Sequence, residues 1–63
     1  MQSLYHFVSM NAFINGIFPA AEFKDDTEAI QTAAEYEATL YKYEYRNGKR
    51  IGSRILYDPG QEA

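Results

Sequence analysis

Asn47-Gly48 stands between two runs of tyrosine, isoleucine and basic residues, and no other dipeptide limits the folding of this chain as much. Asn-Gly flanked in this way is the strongest short-range sign of a β-hairpin. Residues 38–58 therefore read as a hairpin of two paired strands, 39–45 and 49–57, and the hairpin as a whole holds four of the six tyrosines and five of the six basic residues. The hairpin is both the candidate core surface and the candidate contact surface.

Side-chain chemistry argues for a register. A two-residue turn sets Arg46 against Lys49 and Tyr45 against Arg50, which opposes like charges and scatters isoleucine and tyrosine over both faces. A three-residue turn, Arg46-Asn47-Gly48 with Gly48 left-handed, opposes Glu44 to Arg50 and Tyr43 to Ile51 instead. Tyr41, Tyr43, Tyr45, Ile51 and Ile55 then share one face, and Lys42, Glu44, Arg50, Gly52 and Arg54 the other. The second register is the expected one, with glycine at the bulged position because it carries no Cβ.

A chain of 63 residues makes a single small domain. Folding buries roughly 60% of its unfolded surface, of which about 3,800 Å² is apolar. That burial contributes about 95 kcal/mol at ~25 cal/mol per Å², against a matching loss at ~1.5 kcal/mol per ordered residue. The terms cancel, so a further source of stability is expected. Cysteine is absent and there is one histidine, which removes disulfides and disfavours structural zinc. With ten aromatic residues to hide, the remaining route is self-association, and a homodimer is expected.

The net charge of −3 and a pI of about 4.9 argue against a general polyanion binder. The charge is nevertheless segregated. Residues 22–37 hold six acids and one lysine, whereas residues 42–54 hold five basic residues and one glutamate. Acids at a helix start and cations on strands explain part of this, since they complement the helix dipole and discourage edge pairing. The functional reading is a basic patch for an anionic ligand. No segment is long enough to span a membrane, and the start lacks a basic region and a cleavage site, so a cytoplasmic protein is expected.

Residues 2–10 read as a first strand, with Leu4, His6, Val8 and Met10 on one side and Tyr5 and Phe7 on the other. Apolar groups on both sides predict a central or doubly covered strand. Asn15-Gly16 either turns the chain directly into a second strand, 17–24, or closes a longer loop over 11–16. Pro19 lacks an N–H and marks that strand as an edge. A helix is predicted over 26–37, capped by Asp25 with Glu28 three residues on, or by Asp26, and presenting Ile30, Ala33 and Ala34 to the sheet. Residues 58–63 form a turn and tail. The fold class is α+β, in the order β-β-α-β-β, with one helix packed on a four-stranded, largely antiparallel sheet that dimerises.

Catalytic patterns are scarce, and no enzyme is expected. His6 lies within a strand, Ser3, Ser9 and Ser53 lack activating neighbours, and Gly52-Ser53 is no nucleophile elbow. No glycine-rich phosphate loop is present, and no cofactor or metal is implied. Recognition chemistry remains: Lys42, Tyr45, Arg50 and Arg54 form the candidate ligand-binding set, because arginine forks onto phosphate or carboxylate and tyrosine stacks or donates. In a symmetric dimer two such patches could line a shared cleft.

The layout, with its Asp-rich helix start (Asp25, Asp26) and its Asn47-Gly48-Lys49-Arg50 hairpin tip, resembles that of short phage or mobile-element proteins. That resemblance implies a protein that binds a signalling nucleotide or blocks a host protein, and it assigns no individual residue. The expectation is a non-enzymatic homodimeric binding module for a small anionic, nucleotide-like ligand. The runner-up docks on a host protein through its aromatic surface or a strand edge. A single-stranded nucleic-acid binder comes third, disfavoured by the acidic pI.

Overall fold

Aromatic and β-branched residues build four strands, and an alanine-rich stretch between the second and third builds the helix. The computed structural model describes residues 2–10 and 14–61. The elements are β1 (Gln2–Val8), β2 (Gly16–Pro19), a 3-10 turn (Ala20–Glu22), α1 (Asp26–Glu35), β3 (Thr39–Arg46), β4 (Lys49–Tyr57) and a closing 3-10 turn (Pro59–Gln61). The sheet order is β2-β1-β3-β4, and all neighbours are antiparallel. β2 and β3 therefore run parallel with β1 between them, and α1 supplies the crossover such a pair requires. The predicted α+β order and the single helix on a four-stranded sheet are what the chain adopts.

The helix covers one face of the sheet. Tyr5 and Phe7 of β1, Leu40 of β3, Ala29 and Ala33 of α1, and Ala38 are buried in one cluster. Phe23, arriving from beyond the 3-10 turn, meets Tyr5 edge-on with centroids 5.2 Å apart and Phe7 at 5.7 Å. Ala29 and Ala33 are the fully buried alanines of the helix, one turn apart, with Ile30 half-buried beside them. Ala34, expected in that stripe, is exposed, because the helix is rotated toward Ala29. Small residues at this contact let the helix lie close to the rings.

Several boundaries differ from expectation for local reasons. β1 stops at Val8 rather than at residue 10, because the Asn15 side chain captures the next peptide. Ser9 N–H donates to Asn15 Oδ1 at 2.9 Å, and Asn15 Nδ2 donates to the Ser9 carbonyl at 3.3 Å. Asn15-Gly16 thus closes a longer loop, 9–15, whose residues 11–13 lie outside the described ones. β2 ends at Pro19 instead of reaching residue 24, and a 3-10 turn follows. Asp25 is the helix cap, accepting from Glu28 N–H at 2.9 Å. The helix closes two residues early, in a Schellman motif with Glu37 left-handed at φ 54°. Ala38 N–H returns to the Ala33 carbonyl at 2.8 Å and Glu37 N–H to that of Ala34 at 3.3 Å. At the far end Asp58 accepts from Gly60 N–H at 3.0 Å; residues 62–63 of the predicted tail lie outside the described residues.

The main hairpin departs most. Asn47 and Gly48 both have positive φ, 54° and 79°, and form a two-residue turn that opposes Arg46 to Lys49 and Tyr45 to Arg50. The three-residue turn is not used, since the mirror-type turn that Asn-Gly adopts already matches strand twist. An irregularity then leaves Ile51 as an extra residue on β4, so that Glu44 opposes Gly52 and Tyr43 opposes Ser53. A second shift leaves Leu56 extra, and Leu40 opposes Tyr57. The expected pairs of Glu44 with Arg50 and of Tyr43 with Ile51 do not form.

Candidate functional site

The extra residue at Ile51 divides the predicted ligand-binding set. Beyond it, Lys42 and Arg54 face each other on the helix-covered side; before it, Arg50 pairs with Tyr45 on the other side. Lys42, Arg50 and Arg54 therefore share no single face, contrary to the sequence expectation. A strand that gains one residue reverses its side-chain alternation at that point.

On the helix side, Tyr5, Lys42 and Arg54 form a row across β1, β3 and β4, with Asp26 of the first helical turn above it. The Tyr5 hydroxyl donates to Asp26 Oδ1. Lys42 Nζ donates to the same oxygen at 3.0 Å and lies 5.8 Å from the Tyr5 ring centre, while Arg54 approaches Oδ2 at 3.7 Å. Burial, the hydrogen bond to Asp26 and the charges of Asp26 and Asp25 push the Tyr5 phenol up to about 12, against a smaller opposing effect of Arg54. The hydrogen bonds from Tyr5 and Lys42 hold the Asp26 carboxyl below its ordinary value, opposed by burial. Asp25-Asp26 therefore divides its labour: one residue caps the helix, and its neighbour ties the helix to the sheet. Asp26 was legible only as an alternative cap, because its partners are distant in sequence.

Among the described residues no helix covers the opposite face. His6 of β1 and Tyr41 and Tyr43 of β3 form a row of rings along the two central strands. His6 Nδ1 and the Tyr43 hydroxyl share a hydrogen bond at 2.8 Å, and Tyr41 and Tyr43 lie nearly parallel with centroids 6.4 Å apart. The Arg50 guanidinium sits 5.4 Å from the Tyr43 ring centre. Around this row Val8, Ile17 and Ile55 are 40%, 54% and 52% exposed. Register and alternation place no Asp or Glu of the strands on this face, because Glu44 shares the helix side with Lys42. β1 is thus central, as expected, yet covered on one side.

Two open recesses lie at the margins. One, of about 510 Å³, is lined by Val8, Met10, Glu37, Thr39, Pro59 and Gly60; the other, of about 430 Å³, by Gln2, Ser3, Pro19, Ala20 and Ala21. Neither includes any of the predicted site residues. Among the described residues no three or more His, Asp or Glu side chains come together as a metal site, and no helix is long and apolar enough to cross a membrane. No protein-family model, curated protein or solved structure matches this chain.

Proposed function

We propose that the chain is a non-enzymatic interaction module that works as a homodimer, two copies packing their open sheet faces together. The observation that carries this reading is the uncovered face itself, with Val8, Ile17 and Ile55 standing exposed around a row of aromatic rings. A sheet with one apolar face covered and another open lacks a layer, and domains of this size bury little surface by themselves. Association through faces is favoured over association through edges. β2 is short and ends in Pro19, while β4 is interrupted by two register shifts and carries Lys49, Arg50 and Arg54.

A twofold axis through the centre of the face sends the two Arg50 side chains to opposite ends, so this cation does not oppose pairing. Four strands of about seven residues present roughly 19 by 23 Å. That footprint is at the small end of specific interfaces, and a micromolar dimer is expected. Sedimentation equilibrium between 1 µM and 1 mM should show a concentration-dependent dimer, and Ile17→Asp or Ile55→Asp should leave a folded monomer. A wild-type chain that stays monomeric at about 1 mM would remove this reading.

A further inference from the structure

The hairpin contains two pairs of like charges placed directly across the ladder, Lys42 with Arg54 and Arg46 with Lys49. Such pairs are destabilising unless something neutralises them. At the first pair Asp26 does so, with contacts at 3.0 and 3.7 Å. At the second pair, among the described residues, nothing does: Arg46 and Lys49 are exposed and neither has an ion-pair partner, while Arg50, next along the strand, points to the opposite face with Tyr45. Glu44, the nearest acid along the strand and on the same face as Arg46, is opposed to Gly52 and makes no ion pair with either cation.

We propose that the hairpin tip is an anion site for a ligand carrying two or more phosphates, which stands to Arg46 and Lys49 as Asp26 stands to Lys42 and Arg54. A planar guanidinium fork beside a compact ammonium suits phosphate oxygens, which accept bidentate contacts and a point charge together. The two-residue turn holds Arg46 and Lys49 opposite each other, so the charges are brought together before a ligand arrives. This site lies at the end of the hairpin and does not depend on the dimer.

The test uses the full chain and inorganic tripolyphosphate, followed by amide chemical shifts at low and at 150 mM salt, with ATP and hexaglutamate as further probes. Tripolyphosphate should shift residues 45–50, and each of Arg46→Gln and Lys49→Gln should weaken binding by about tenfold. Lys24→Gln, which removes one charge away from the tip, should leave affinity unchanged. The melting temperature of Arg46→Gln should rise by about 2 °C even as binding falls, because a repulsive pair has been relieved. Equal affinity for ATP and tripolyphosphate supports the phosphate chain as the determinant, and tighter ATP adds a ring contact. Absent shifts at the tip, equal loss in Lys24→Gln, or tighter binding of hexaglutamate would overturn the assignment.

Discussion

The base and the tip of one hairpin resolve the same electrostatic problem in different ways. At the base Lys42 and Arg54 are opposed across β3 and β4, and a carboxylate from the first turn of α1 sits between them. At the tip Arg46 and Lys49 are opposed in the same fashion, and among the described residues no carboxylate meets them. The difference teaches that a basic residue on a strand has no fixed meaning. Lys42, with its side chain 15% exposed, helps to hold the helix to the sheet, while Arg46 a few residues on is free to meet a partner.

The largest expected effect breaks the base. Asp26→Ala leaves the buried Tyr5 hydroxyl and the Lys42 ammonium without their shared acceptor, and should cost about 2 kcal/mol, seen as a fall of roughly 10 °C in melting temperature. A loss below about 0.5 kcal/mol would mean that the base is no better compensated than the tip.

The pH dependence of stability sharpens the same contrast. The folded protein holds the Asp26 carboxyl below its ordinary value, so its contribution is complete above the ordinary carboxylate range and is lost as pH falls through the folded value. The Tyr5 phenol is held up to about 12 from 10.0, so its contribution is intact below about 10 and is lost as pH rises through about 12. Thermal melts across both ranges should show two losses of stability, and Asp26→Ala should weaken both. At the tip, where no such partner is found among the described residues, replacing Arg46 by Gln should shift the curve up slightly without changing its shape. The smallest effect is expected from Lys49→Glu, which supplies at the tip what Asp26 supplies at the base and should stabilise by about 0.5 kcal/mol in urea unfolding.

Much of the fold was legible because it rests on local chemistry. Asn47 and Gly48 announced a turn, Pro19 an edge strand, and Asp25 with Glu28 a helix start. The register was harder. Two opposed cations argued against the two-residue turn, yet the chain adopts it, and the extra residue at Ile51 then brings Ile55 to the tyrosine side and Arg54 to the side of Lys42. A bulge leaves little trace in side-chain pattern, since it is a property of two strands together. The candidate site suffered for the same reason. Tyr45 and Arg50 remain together, whereas Lys42 and Arg54 lie on the other side, committed to Asp26.

The amino-acid order by itself determined where the backbone turns and which segments become strand or helix, because φ preferences, caps and missing N–H groups act over a few residues. Only the tertiary structure decided which charges are spent and which face stays open. Asp26 reaches Lys42 across 16 positions of sequence, and α1, the α-helix among the described residues, covers one side of the sheet. Charge pairing and burial are set by distance in space, and that distance exists only after the strands have registered.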